Sequence, residues 1–237
     1  MPIRFRFSWI PLLATVAVVG LGITLGQWQT RRGDEKQAVE SKIAARAAAA
    51  ALQLGAAPVD LASVDYAPVK VRGSFVTDWP LFLDNRPQQG RAGFYVLMPL
   101  RIEASNMHVL VARGWAPRDG ADRMRLPAFI TPSGSVELEG MARQSIGHVM
   151  QLGSAPKIAA RAILQNLDVP AFAAASGLQL QPFVLEQHSE THDGLVRDWP
   201  RASNGIDKHR GYAFQWYGLA ATALLFFIVN GFRRGRK

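Results

Sequence analysis

The chain has 237 residues, no cysteine, and 27 lysines and arginines against 18 carboxylates, a formal charge of +9. Without cysteine there is no disulfide, zinc-thiolate, copper-thiolate or thiol redox chemistry to consider. No P-loop, Rossmann glycine pattern, nucleophile elbow or nucleic-acid motif accompanies the charge, so anionic lipid or an acidic partner surface is its expected counterpart.

Met1–Ser8 carries Arg4 and Arg6, and Phe7–Thr30 is then free of charge. That run is long enough to cross the ~30 Å hydrocarbon core of a bilayer. Trp9 and Trp28 stand near its ends, where tryptophan favours the headgroup layer. The apolar core exceeds the ~7–15 residues of a signal-peptide h-region and leads into Gly26-Gln27-Trp28-Gln29 rather than a small-residue cleavage site, which predicts a retained anchor. No arginine-rich transit segment precedes it, so a bacterial protein is expected rather than a mitochondrial one. After Gly33, Asp34 and Glu35 fit the first turn of a helix, and Lys36–Leu54 is rich in good helix formers. A separate surface helix over 34–54 is predicted, ended by Gly55 and Pro58, because Ala44–Ala51 has no bulky apolar side chain to bury.

The middle of the chain reads as strands. Tyr66–Phe75 alternates around Val69, Val71 and Phe75, and Leu81–Leu83 is a short apolar run. Asp84-Asn85-Arg86-Pro87 and the glutamines after it form a turn or loop. Gly93–Leu100 and His108–Trp115 are apolar neighbours joined through Ser105-Asn106, and Ser135–Ala142 alternates again. Gly120–Pro132 is polar, basic and proline-punctuated, an irregular excursion. Pro170–Gly177 predicts a brief helix and Leu180–Gln187 a last strand, in which Pro182 requires an edge, a bulge or the strand start. His209–Phe232 is a second membrane-length run, uncharged from Gly211 onward and closed by Arg233, Arg234, Arg236 and Lys237.

The expected fold is therefore an α+β membrane protein, with two transmembrane helices flanking a β-dominated extramembrane domain. Its sheet is antiparallel or mixed, and a closed barrel and an open sheet both satisfy the pattern. The expected division is an N-terminus over 1–6, a first span over 7–30, a domain over 31–208 with its β-rich core at 64–187, a second span over 209–232 and a basic tail over 233–237. Two spans put both termini on one side. The basic tail makes that side cytoplasmic and the domain periplasmic, in a bacterial inner membrane.

Among candidate site residues, His209 stands at the head of the second span. On one helix it shares a face with Tyr212, Ala213 and Trp216 at i+3, i+4 and i+7. Imidazole beside aromatic rings at a membrane surface suits a flat, apolar, metal-bearing ligand, or is simply an interfacial histidine. Asp207 is placed to cap the helix or to orient an imidazole N–H. His188 and His192 are four apart, but Glu186–Gly194 reads as a loop without the glutamate of a zincin, which disfavours a metal pair. Arg86 and Arg113 read as loop and strand arginines that pair with local carboxylates.

Ordered motifs run along nearly the whole chain. Gly22-x-x-x-Leu25-Gly26-x-Trp28-Gln29-x-x-Arg31 closes the first span, and Asp84-Asn85-Arg86 and Gly93-Phe94-x-Val96-x-x-Pro99-Leu100 follow. Val109-Leu110-Val111-x-Arg113-Gly114-Trp115-x-Pro117 and Glu139-Gly140 come next, then His209-x-x-Tyr212-Ala213-x-x-Trp216-Tyr217-x-Leu219-Ala220. This set resembles the SURF1 (Surfeit locus protein 1, or Shy1) family of assembly factors for haem-copper cytochrome c oxidase. The resemblance implies a non-enzyme that binds haem a and assists its insertion into the catalytic subunit I, with His209 as axial ligand to the haem iron. Trp216 would then stack on or flank the porphyrin, and Tyr212 would donate to a propionate or anchor the helix, while Trp28 and Arg31 would complete a clamp from the first helix, with Arg31 or Arg32 facing propionates. Subunit I, haem a synthase and membrane lipids are the implied partners, and nucleic acid is not. A haem-free scaffold for subunit I intermediates is the alternative.

Overall fold

The computed structural model describes residues 7–151, 153, 156–200 and 205–234. Arg4 and Arg6, and the tail residues Arg236 and Lys237, lie outside them. The chain divides into two compact units, Met1–Lys42 with Arg201–Lys237, and Ile43–Pro200.

The first unit is built on two helices, α1 (Trp9–Ala47) and α4 (Ile206–Arg234). Both are long and apolar enough to cross a membrane. At 1.5 Å per residue the 39 residues of α1 extend ~58 Å, nearly twice the hydrocarbon thickness. The separate helix expected over 34–54 is not observed, because α1 runs unbroken from the apolar span through Gly33 to Ala47. Glycine in a helix interior costs about 1 kcal/mol relative to alanine. Here it is buried against the neighbouring helix, 3.7 Å from the His209 Cβ as measured from an ideal Cβ position, and packing offsets the propensity. The helix stops at Ala47 instead of Leu54. Leu52–Gln53 forms a strand, β1, and Leu54 beyond it is buried in the core of the second unit.

The second unit is a mixed sheet of eight strands with two short helices, α2 (Leu61–Val64) and α3 (Val169–Ser176). The strands after β1 are β2 (Pro68–Phe75), β3 (Leu81–Leu83), β4 (Gly93–Ile102), β5 (Met107–Pro117), β6 (Val136–Arg143), β7 (Ile163–Leu164) and β8 (Gln179–Gln187). They lie in the order β1-β2-β6-β8-β5-β4-β3-β7, and β2 also pairs with β4. That extra pairing closes β2, β6, β8, β5 and β4 into a five-stranded barrel, deciding between the two sheet arrangements the sequence allows. Closure needs one strand to turn from one partner to the other. Gly73 does this, pairing with Val136 of β6 and Ile102 of β4. A Cβ there would collide with the carbonyl of Arg101.

The alternating strand pattern is sorted into two cores. Val69, Val71 and Phe75 of β2, Leu100 and Ile102 of β4, Val109 and Val111 of β5, Leu138 of β6 and Phe183 and Leu185 of β8 fill the barrel. The intervening residues Tyr95, Leu97, Leu110, Ala112 and Val184 form an outer layer with Leu81 and Leu83 of β3. Val169 and Phe172 of helix α3 (Val169–Ser176) complete it. Helix α3 starts where the Asp168 carboxylate accepts from Ala171 N–H at 2.7 Å and ends at Gly177 in the left-handed region, φ 72°. Strands β4 and β5 are thus covered on both faces, which is why their sequences are continuously apolar. Pro182 lies within β8 where the β5 register shifts between His108 and Leu110, the bulge solution among those its presence required.

Candidate functional site

Helices α1 and α4 pack antiparallel along a seam of small residues. Gly22, Gly26 and Gly33 are the buried residues of α1. On α4, Ala213 and Ala220 are buried. An ideal Cβ on Gly22 would stand 2.9 Å from the Trp216 carbonyl oxygen and 3.0 Å from the Ala220 Cβ, and one on Gly26 would meet the Tyr217 ring at 2.5 Å. The backbones approach this closely only because both α1 positions lack a side chain, as in small-xxx-small membrane helix pairs.

Between Gly26 and Gly33 a polar pair joins the small residues of the seam. Gln29 lies one heptad beyond Gly22 and three residues beyond Gly26, so it points at α4. Its Oε1 is 2.7 Å from Nδ1 of His209. An amide oxygen only accepts, so this contact puts the imidazole proton on Nδ1 and leaves the lone pair on Nε2. Among the described residues no side chain hydrogen-bonds Nε2, and the ring is half-buried. Arg210, the residue after His209, donates to the side-chain oxygen of Gln37, just over two turns beyond Gln29, at 2.9 Å.

Two contacts fix which flanks of the helices meet. Tyr217 lies over Gly26, and Arg210 reaches Gln37. All four residues are turned the same way from the seam at about 100° per residue. Arg32 on α1 and Tyr212 on α4 are turned the other way, so they share the opposite flank. His209 and the half-buried Trp216 lie along the seam between the two flanks. Trp28 and Tyr212 are exposed, 45% and 53%. Arg31 is two residues from Gln29, about 160° round the helix from it, and so points away from α4. Of the five residues singled out in the sequence, His209, Tyr212 and Trp216 thus lie on or beside the face of α4 that meets α1, whereas Trp28, about 160° round α1 from Gly26, and Arg31 are both turned away from α4. Arg32, rather than Arg31, takes the flank shared with Tyr212. It pairs with Glu35 at 2.9 Å, with both side chains more than half exposed.

The orienting partner of His209 is Gln29 rather than Asp207. Gln29 belongs to the first-span motif, and its spacing from Gly22, Gly26 and Gly33 is the signal that places it on the seam. Asp207 is exposed in the first turn of α4.

Arg113 and Arg86 of the second unit are held by internal partners. Arg113 continues the inward-facing register of Val109 and Val111 and is fully buried. It donates to Asp193 Oδ2, Thr131 Oγ1 and the Ile130 carbonyl, each at 2.8 Å, and its guanidinium lies 4.4 Å from the Phe75 ring centroid. Arg197 grips the same Asp193 oxygen at 2.6 Å. Burial alone would raise the Asp193 carboxyl. The hydrogen bonds from Arg197, the Leu195 N–H and Thr191 outweigh burial and hold it below its usual value. Burial lowers the Arg113 guanidinium, and Asp193 offsets part of that.

Arg86 departs from the expectation of a carboxylate partner. It donates to the backbone carbonyls of Asp84, Asn85, Gly147 and Gln165, and its own carbonyl accepts from Trp115 Nε1 at 2.7 Å. His188 bonds Glu186 at 3.0 Å, while His192 sits in a turn with φ 50°. No group of three or more metal-binding side chains occurs among the described residues.

A five-stranded barrel with two apolar terminal helices, paired through glycines and a Gln–His hydrogen bond, defines a helix-anchored β-barrel protein. The sequence model of the SURF1 family matches residues 16–221, and the chain belongs to the SURF1 family. Human Surfeit locus protein 1 is 28% identical over 239 residues, covering 93% of this chain and 76% of that protein. The SURF1-like protein of Rickettsia bellii is 26% identical over 217 residues, covering 87% and 85%. That of Monosiga brevicollis is 25% identical over 233 residues, covering 91% and 85%.

Proposed function

We propose that the protein is a membrane-anchored assembly factor for haem-copper cytochrome c oxidase, which holds haem a as cargo and assists its insertion into subunit I. The observation that carries this reading is the His209 imidazole, held at Nδ1 by Gln29 with Nε2 unengaged by any described side chain. Haem a, when bound, supplies an iron whose axial position accepts one imidazole nitrogen. The residues present fit such a group. His209 offers a neutral nitrogen donor, Tyr212 offers an exposed aromatic face on one flank, and Trp216 lies on the seam beside it. Arg32 supplies a cation on that flank, and its present partner Glu35 is a solvent-exposed ion pair that yields readily to a propionate.

A carrier must release what it holds, and transfer proceeds when the acceptor's affinity exceeds its own. His209 is the one histidine in the sequence of the helix unit, and a single histidine ligand suits that requirement. The membrane spans are α1 and α4, with both termini cytoplasmic in a bacterial inner membrane and the barrel periplasmic. The basic residues of the tail set that orientation. The role is non-enzymatic: His209 would bind and release the iron and the helix pair would position it, with no covalent bond of the cargo made or broken. Haem a synthase is the implied upstream partner, and membrane lipid surrounds the spans.

The test is complementation. A strain lacking this protein accumulates subunit I with reduced haem content. Wild type restores the haem, and His209→Ala, at equal expression and with subunit I still co-purifying, does not. Full restoration by His209→Ala would instead make the protein a haem-free scaffold.

A further inference from the structure

We propose that Gln29 is a positioning residue for His209, setting which ring nitrogen is offered to a metal and how strongly it donates. The inference rests on the haem-carrier reading above. A neutral imidazole has two tautomers, and unconstrained histidine favours the one protonated at Nε2. That form would present Nδ1, the nitrogen nearer the helix backbone and here turned into the seam. The Gln29 oxygen at 2.7 Å stabilises the opposite tautomer, protonated at Nδ1, and leaves Nε2 as the ligating atom. The same bond polarises the Nδ1–H and makes Nε2 a better donor, which is how outer hydrogen bonds tune ligand histidines.

The geometry is held from both sides of Gln29. Gly26 and Gly33, three residues before it and four after, are buried in the seam and permit the close helix approach that brings an amide from α1 within reach of a ring on α4. The ligand's donor strength therefore depends on the helix pair being closed. Arg210, next to His209 on α4, makes a second cross-helix polar contact with Gln37, just over two turns beyond Gln29 on α1.

The test uses the full-length protein in detergent, with wild type, Gln29→Leu and Gln29→Glu, and hemin as the probe. The first readout needs no haem: 15N chemical shifts of labelled histidine in the unloaded protein, at a pH where the ring is neutral, report the tautomer. Wild type shows His209 protonated at Nδ1, Gln29→Leu moves it toward the Nε2-protonated form, and Gln29→Glu keeps the wild-type form. The second readout is hemin affinity, which falls 10–100-fold in Gln29→Leu, the usual range for losing an outer partner, and is kept in Gln29→Glu. The carboxylate of Gln29→Glu also lowers the haem midpoint potential below wild type.

An unchanged tautomer in Gln29→Leu overturns the assignment, as does a shifted tautomer with unchanged affinity. Loss of affinity in both variants alike marks a general loosening of the helix pair and also overturns it. Wild type that binds no hemin removes the carrier reading itself, and the assignment with it. Wild type that binds while Gln29→Leu binds equally removes only the role of Gln29.

Discussion

Asp193→Asn is the substitution whose cost the structure fixes most closely. The carboxylate is fully buried and accepts from two guanidinium groups, Arg113 with 0% side-chain exposure and Arg197 with 6%. Asparagine keeps the shape and one acceptor oxygen but removes the charge that offsets Arg113. Arg113 cannot respond by losing its proton, because guanidinium stays charged in proteins. Arg197 retains Glu190 at 3.1 Å, but that carboxylate is more than half exposed and compensates weakly. Removing one partner of a buried pair costs about 3–5 kcal/mol. For a unit of this size each kcal/mol lowers Tm by about 2–4 °C, so the expected fall is roughly 6–20 °C. Thermal unfolding of the full-length protein in detergent, followed by tryptophan fluorescence, measures it. A variant within about 1 kcal/mol of wild type would refute the reading of Asp193 as the counter-charge of the barrel interior.

The same carboxylate predicts an acid limb in stability. Its folded pKa is depressed, so its contribution is fully present above the ordinary carboxyl value of about 3.9 and is lost as pH falls through the lower folded value. An acid unfolding series should show wild type losing stability more steeply below about pH 4 than Asp193→Asn, and parallel curves would contradict this. In the helix pair, Gly22→Leu drives a side chain against the Trp216 carbonyl, which no rotamer change relieves, so the helices must part. Spin labels on cysteines substituted at Thr30 and Phe214 should report a longer distance in that background, and an unchanged distance would show that the seam tolerates a side chain there.

Much of the fold was legible because each unit follows one periodicity. The barrel strands announce themselves through period-two patterns such as Val69, Val71 and Phe75, and the membrane helices through uncharged runs. Three features depended on tertiary partners that no local pattern names. Gly33 looks like a helix stop until α4 is packed against it. Leu52–Gln53 looks helical by composition, yet its backbone pairs in parallel with Val69–Lys70 of β2. Barrel closure rests on β2 pairing with both β4 and β6, which the alternation of β2 alone leaves open.

Of the candidate site, only the grouping within one helix was legible. His209, Tyr212 and Trp216 could be grouped by i+3, i+4 and i+7 spacing within one helix. Choosing Gln29 over Asp207 as the imidazole's partner required the phase of α1 against α4. That phase was encoded by the glycines at 22, 26 and 33. It becomes readable only once those glycines are known to face a second helix.

The absorption spectrum of the detergent-purified protein, co-expressed with haem a synthesis and quantified by pyridine haemochrome, bears most directly on His209. Wild type should carry haem a with a Soret band. His209→Ala, equally expressed and with the same barrel Tm, should be colourless. Equal haem in both proteins, or none in either, would mean that this imidazole does not hold the iron.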